Sequence, residues 1–174
     1  MSLPPPLSRL LPPLLLQPRT QLALIFLLAL LLRLYGIEAG LPNPGNPVSS
    51  YHPDEAPTLL QAQWFNDNFY RPQQFVYGGS AFCFVVVSFL ELGDLLTPVL
   101  DQYNLPANAL LVARYVMVYV ALVTMLLVYE TVRTLHNERR ALLATLLLAL
   151  APAHVIMAQQ MRADEISALL TALQ

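Results

Sequence analysis

Charged residues are scarce in this 174-residue sequence, and lysine is missing altogether. Charged side chains make up 11% of the chain, against about 25% in typical soluble domains, while hydrophobic residues make up 56%. All nine basic residues are arginine, and they form no basic stripe that could neutralise nucleic-acid phosphates. The composition therefore argues against a self-contained soluble domain and a nucleic-acid partner, and it favours a protein with membrane lipids around it.

Cysteine is nearly absent, because Cys83 is the only one in the chain. A single thiol excludes an internal disulfide and a cysteine-based metal cage. His52 could hold a divalent metal together with Asp54, but no second histidine stands at ligand spacing. No cofactor is therefore certain from the sequence.

Apolar residues are concentrated in blocks that are long enough for membrane helices. Residues 1–20 are rich in proline and predict a short cytoplasmic tail. Residues 21–174 predict the N-terminal part of a transmembrane domain, with spans at about 21–37, 109–130 and 140–158 and the start of another at 165. The fold class is thus all-α and polytopic. A cleaved signal peptide is the alternative for the first block, although no cleavage site precedes the polar segment. Because the chain stops soon after its last helix begins, we expect a fragment.

The segment 38–108 predicts an outer loop with amphipathic helices that lie on the membrane. Pro53 opens a helical pattern that ends in an aromatic cluster around Trp64, and such clusters favour the headgroup level. If 75–97 crossed the bilayer, the arginine-rich connection 131–140 would be outside, against the positive-inside bias. We therefore expect 75–97 to be re-entrant or flat, which places the turns around Asp54 and Asp164 at the same, non-cytoplasmic face.

Two acidic turns are the candidates for chemistry. Asp54 and Glu55 follow a proline at a predicted helix start, and Asp164 precedes an apolar helix that begins near Ile166. The simpler interpretation is that these carboxylates favour helix N-termini. If the two turns share one membrane face, however, a carboxylate beside apolar helices becomes a better general base.

Arginines could supply the complementary positive charge. Arg162 stands beside Asp164, Arg71 lies in the outer loop, and Arg114 and Arg33 lie within apolar helices, where they could bind a phosphate. An exposed charge is the alternative for Arg71, and snorkelling to the interface is the simpler interpretation for Arg33 and Arg114. His154, which follows Pro152, predicts a packed polar residue in a kinked helix.

The order of these motifs resembles a known family. In chain order they are RLYGI, HPDE, FVYGG, LLVARYVMVY, ALLATLLLALAPAH and RADE. This order is similar to that of the GT-C membrane glycosyltransferases, and within them to the branch that resembles the dolichyl-phosphate-mannose–protein mannosyltransferases (glycosyltransferase family 39). Over residues 22–174 the chain follows this pattern, except that Gly78-Gly79 replaces the usual proline after Tyr77.

The resemblance implies an inverting transfer of a sugar from a polyprenyl-phosphate donor to an acceptor hydroxyl. Because the family's other transmembrane helices and its acceptor-binding domain are missing from this sequence, we expect the fragment to be inactive alone. It implies Asp54 as the general base, with Glu55 beside it, and Asp164 near the substrate. Arginines or a divalent metal would stabilise the departing lipid phosphate. Two other functions stay open at this point: a transporter or channel segment whose embedded arginines line a path, and a non-catalytic membrane fragment whose acidic turns are only caps.

Overall fold

A computed structural model of the chain describes residues 17–41, Glu55, Trp64, 105–160 and 163–173. We number its helices in chain order: α1 Pro18–Leu34, α2 Leu105–Leu135, α3 Glu138–Leu150, α4 Pro152–Ala158 and α5 Ala163–Ala172. None of these described residues is in a β-strand, so the predicted all-α class is confirmed for this part of the chain.

Several predicted segments fall outside the described residues. They are the proline-rich residues 1–16, the flat or re-entrant segment 75–97 and most of the outer loop 38–108. Glu55 and Trp64 have helical backbone, as the pattern that Pro53 opens predicts. Each of the four predicted membrane segments overlaps a described helix. The predicted tail 1–20 is too long at its end, because α1 begins at Pro18, and proline is tolerated in the first turn of a helix. At its other end α1 stops at Leu34, three residues before its predicted end.

The long helix α2 is the centre of the bundle. It contacts each of the other four helices, and α1 in turn contacts α3 and α4. Of the helices in the described ranges, only α2 is by itself long and apolar enough to cross a membrane, with a mean hydropathy of 2.2 over Leu110–Leu135. The helices α3 and α4 would make a second such segment if the bent pair is one span.

A proline causes the break between α3 and α4. Pro152 has no backbone N–H, so it cannot bond to the carbonyl of Leu148, and the N–H of Ala151 bonds to that carbonyl at 3.3 Å. The two helices diverge by 62° at this point. The kink that the sequence predicts near Pro152 is therefore present, and it is a sharp break.

The bundle has small residues inside and large apolar residues outside. Six alanines are completely buried between the helices: Ala29, Ala113, Ala121, Ala141, Ala149 and Ala158. Seven leucines of α1 and α3 are between 37% and 62% exposed: Leu24, Leu27, Leu28, Leu31, Leu143, Leu147 and Leu150. Small residues at contacts let helix backbones approach closely, as they do between membrane helices.

Two buried threonines continue this pattern. The hydroxyl of Thr124 donates to the carbonyl of Val120 at 3.0 Å, and that of Thr145 donates to the carbonyl of Ala141 at 2.8 Å. Each hydroxyl therefore finds an acceptor on its own helix, one turn earlier. Polar side chains can lie in this interior without an unsatisfied donor.

Candidate functional site

Glycines end α1 and shape the turn that follows it. Gly36 has φ +76° and Gly40 has φ +68°, in the left-handed region that residues with a Cβ rarely adopt. Gly36 stands just after the helix cap at Tyr35, the position where a left-handed residue commonly ends a helix. The helix therefore ends before the predicted limit at residue 37, and a tight turn follows over residues 35–41.

The carbonyls of this turn alternate in what they bind. Those of Leu34, Gly36 and Glu38 accept hydrogen bonds from backbone N–H groups three residues later in the turn. Those of Tyr35, Ile37 and Ala39 accept hydrogen bonds from side chains that are far away in sequence. The turn therefore presents three carbonyl oxygens to the rest of the bundle.

Arg114, near the beginning of α2, binds two of these carbonyls. Its Nη1 donates to Ile37 O at 2.6 Å and to Ala39 O at 2.9 Å. Because four residues of a helix make about one turn, Arg114 lies on the same buried face of α2 as Leu110. The guanidinium ties the turn after α1 to α2.

The same guanidinium forms a two-pronged ion pair with Glu55. Arg114 Nε donates to Oε1 at 2.9 Å and Nη2 donates to Oε2 at 2.8 Å. The Glu55 side chain is 0% exposed and that of Arg114 is 1% exposed. Four of the five N–H groups of Arg114 thus donate to this carboxylate or to the turn. The positive charge is matched by a buried negative charge, which is the arrangement that a buried ion requires.

Gln159, just after α4, binds the end of α1 from the other side. Its Nε2 donates to Tyr35 O at 2.7 Å, to Leu32 O at 3.1 Å and to Arg33 O at 3.3 Å. The last carbonyls of a helix have no partner within the helix, so this amide caps α1 with a side chain. The contact fixes the segment before α5 against the turn that Arg114 binds.

A cavity of about 360 Å³ lies between these elements. Among the described residues, its lining consists of Leu32, Tyr35, Gly36, Ala39, Arg114, Val155 and Gln159. Arg114 is the one charged residue in this set, and its charge is matched by that of Glu55. The volume lies within the range of about 300 to 1,000 Å³ that is common for ligand pockets.

A second polar cluster lies deeper in the bundle. Arg33 is 0% exposed, and its Nη1 donates to Ala29 O at 3.0 Å and to Ala149 O at 3.4 Å. Ala149 is in the last turn of α3, where the break at Pro152 leaves carbonyls without helical partners. The kink thus creates an acceptor that Arg33 uses.

His154 completes this cluster. Arg33 Nη2 lies 2.5 Å from His154 Nδ1. A guanidinium has no acceptor atom, so Nδ1 must accept the bond, and His154 is then the neutral tautomer with its proton on Nε2. The prediction that His154 is a packed polar residue beside a kink is confirmed.

The snorkelling interpretation of the two helix-embedded arginines is wrong. The side chains of Arg33 and Arg114 are 0% and 1% exposed, and both guanidinium groups turn inward to carbonyls and side chains. Helix-end carbonyls and the carboxylate of Glu55 supply acceptors inside the bundle that the sequence pattern does not reveal. These acceptors replace the interface water that snorkelling would provide.

The predicted site residues divide into two groups. Glu55 and Arg114 come together, although 59 positions separate them in the chain. Asp164 lies in the first turn of α5, which begins at Ala163, and its side chain is outside the described set. The remaining predicted site residues also lie outside the described residues: His52, Asp54, Arg71 and Arg162. Their roles, and the phosphate-binding role of Arg114, stay predictions.

No cluster of three or more metal-binding side chains occurs within the described ranges. The one candidate metal pair, His52 and Asp54, lies outside those ranges, so the divalent-metal hypothesis stays a prediction. Sequence reasoning missed Gln159, whose amide both caps α1 and lines the cavity. The sequence gives little indication of this role of Gln159, because a polar residue after a helix usually faces solvent.

The comparisons with known proteins add no family to this geometry. No family model matches the chain, no curated protein is significantly similar to it, and no solved structure matches its fold.

Proposed function

We propose that this chain is a membrane-embedded glycosyltransferase that moves a sugar from a polyprenyl-phosphate donor to an acceptor hydroxyl at one membrane face. It is an inverting enzyme of the GT-C type, and Asp54 is its general base. This proposal combines the motif order of the sequence with the geometry at the end of the helix bundle.

The exposed leucines and buried alanines support the membrane part of this proposal. A water-soluble bundle of this size rarely exposes such a broad apolar surface. Arg114 and Arg133 are 19 positions apart in α2, which corresponds to about 28 Å at the helical rise, close to the roughly 30 Å of a bilayer core. The exposed leucines lie on the helices that pack beside this part of α2.

The cavity carries the catalytic part of the proposal, because one of its lining residues binds Glu55 and another precedes Asp164 in the chain. Arg114 lines the cavity and holds Glu55, which follows Asp54 directly in the sequence. Gln159 also lines the cavity and stands five residues before Asp164, within about 18 Å of extended chain. This supports one shared site for the HPDE and RADE motifs.

The reaction is a direct displacement at the anomeric carbon. The Asp54 carboxylate takes the proton of the acceptor hydroxyl while the hydroxyl oxygen bonds to the anomeric carbon. The bond between that carbon and the phosphate oxygen breaks, and polyprenyl phosphate leaves. Arg162 and Arg71 stabilise the negative charge of the leaving phosphate. Glu55 acts through Arg114, since their ion pair anchors the loop that bears the base.

The other two functions receive less support. A transport path through the bundle would need embedded arginines that face a water-filled route. Arg114 is 1% exposed and pairs with Glu55, which fits an anchoring role better. A non-catalytic fragment would not need the cavity that Arg114 and Gln159 line.

Sugar transfer by a reconstituted full-length version tests the proposal, in which the chain is joined to any continuation that the downstream nucleotide sequence encodes. The chain is placed in lipid nanodiscs with polyprenyl-phosphate [³H]mannose and a serine- and threonine-rich peptide, and radioactive peptide and free polyprenyl phosphate are both measured. We expect transfer by the wild type, loss of at least a hundredfold with Asp54→Asn, and normal transfer with Glu38→Gln. Glu38 is an exposed carboxylate of the neighbouring turn, which makes it a matched control.

Equal transfer by wild type and Asp54→Asn would show that Asp54 is not the base. No consumption of this donor, or of the glucose- and arabinose-bearing equivalents, would reject the activity for this chain.

A further inference from the structure

The end of the bundle opposite the cavity carries a cluster of arginines. Arg133 lies in the last turn of α2, Arg139 and Arg140 lie in the first turn of α3, and all three side chains are exposed. Arg19 is exposed near the start of α1. The α1 residue Leu22 packs against the cluster of Tyr129 and Ala141, which places the start of α1 at this same end. Together these four arginines form what we call the basic end.

The basic end has an excess of positive charge. Among the residues that the structure describes, its four arginines outnumber the two carboxylates there, Glu130 and Glu138. Only one of the arginines, Arg133, forms an ion pair with them, to Glu130 at 2.6 Å. The remaining carboxylate, Glu138, lies 3.4 Å from the hydroxyl of Tyr129.

Two of the arginines are held in place by neighbouring side chains. The Arg133 guanidinium lies over the ring of Tyr129, 5.7 Å from the ring centre, within the range of cation–π contacts. Arg140 Nη1 lies 3.4 Å from His136 Nδ1, and the backbone N–H of Arg140 donates to the side chain of Asn137 at 3.0 Å. Binding an anion here therefore costs less side-chain conformational entropy than binding it with unrestrained arginines would.

The position of the cluster indicates the kind of anion. The apolar surface of the bundle ends at the basic end, and Leu143, in the second turn of α3, is 56% exposed. An anion at Arg139 and Arg140 therefore sits next to a surface suited to acyl chains. A phospholipid offers both parts in one molecule, with its phosphate at the arginines and its tails along the leucines.

We propose that the basic end binds anionic phospholipid headgroups of the leaflet that it faces. The inference depends on the membrane part of the proposed function and not on sugar transfer. It assigns Arg133, Arg139 and Arg140 as the headgroup contacts, and it orients the cavity towards the opposite leaflet. Attraction to an anionic surface is worth about a fivefold gain in affinity for each arginine near it.

The test is the retention of anionic lipid by the full chain. The protein is purified from nanodiscs of phosphatidylcholine and phosphatidylglycerol at 7:3, and the lipids that stay bound are counted by native mass spectrometry. We expect phosphatidylglycerol to be enriched on the wild type. The triple variant Arg133→Gln, Arg139→Gln and Arg140→Gln should lose this enrichment by at least about tenfold, whereas the triple Arg→Lys variant should keep it, since charge rather than fork geometry dominates.

Two further arms separate the alternatives. Removing the local carboxylates with Glu130→Gln and Glu138→Gln should raise the enrichment, and 0.5 M NaCl should lower it, because exposed charges are screened by salt. Displacement of the lipid by 10 mM inorganic phosphate would instead identify a site for small soluble anions and overturn the proposal. Equal lipid retention by the wild type and the Gln variant would also overturn it. Sugar transfer measured in parallel with Asp54→Asn reports on the proposed function separately.

Discussion

The ion pair between Arg114 and Glu55 should be the most mutation-sensitive contact at the cavity. Glu55→Gln removes the negative charge and leaves the guanidinium buried with a neutral partner. Both side chains are almost fully buried, at 1% and 0% exposed. Breaking one side of a buried pair typically costs about 3 to 5 kcal/mol, so we expect a loss of that size in the free energy of unfolding.

Arg114→Gln should lower the free energy of unfolding more than Glu55→Gln does. It also removes the bonds to Ile37 O at 2.6 Å and Ala39 O at 2.9 Å, and hydrogen bonds to charged groups contribute about 1.5 to 3 kcal/mol each. The double variant Glu55→Gln and Arg114→Gln leaves no buried charge without a partner. It should therefore lose less free energy of unfolding than the sum of the losses of the two single variants. We expect a coupling energy of about 1 to 3 kcal/mol, as for other residues in direct contact.

The chain contains its own control for this measurement. Arg133 and Glu130 form an ion pair at 2.6 Å whose side chains are 48% and 42% exposed. Exposed pairs contribute about 0 to 1 kcal/mol, so Glu130→Gln should change stability little. Unfolding is followed by the loss of helical circular dichroism as sodium dodecyl sulfate is added to the protein in mild-detergent micelles. If Glu55→Gln and Glu130→Gln have equal effects, the buried pair does not anchor the turn as argued.

Three further variants test the remaining contacts in the same unfolding assay. Gln159→Leu should destabilise the chain by about 1 to 3 kcal/mol, because α1 loses the amide that caps its carbonyls; unchanged stability would mean that water replaces the cap. His154→Ala should cost about 1.5 to 3 kcal/mol by removing an acceptor of the buried Arg33, and a neutral result would contradict the assigned bond. Gly36→Ala should cost about 1 to 2 kcal/mol from backbone strain alone, since a Cβ there meets no atom within 4 Å; a stabilised variant would refute the left-handed conformation.

Local chemistry made part of the site predictable. Pro152 predicts a kink, because it removes a donor from the helix. The kink depends only on neighbours in sequence, and it is present in the structure. The end of α1 was predicted less well: the RLYGI motif was assigned to a span that reaches residue 37, whereas the helix ends at Leu34, before the left-handed Gly36.

The partners of the polar side chains were less predictable. Snorkelling was the simpler interpretation for Arg33 and Arg114, since long side chains in apolar helices usually reach for water. The structure instead brings Glu55 to Arg114 across 59 positions and His154 to Arg33 across 121 positions. No periodicity of the sequence relates residues so far apart.

The sequence by itself determined the all-α class, the apolar character of the helices and the place where α3 breaks. These properties follow from backbone donors and side-chain hydrophobicity, which act over a few residues. Only the tertiary structure decided which charges are paired, which carbonyls accept side-chain donors, and that Arg114 and Gln159 line one cavity. These outcomes depend on how helices pack, because a buried polar group takes whichever partner the neighbouring helix brings within reach.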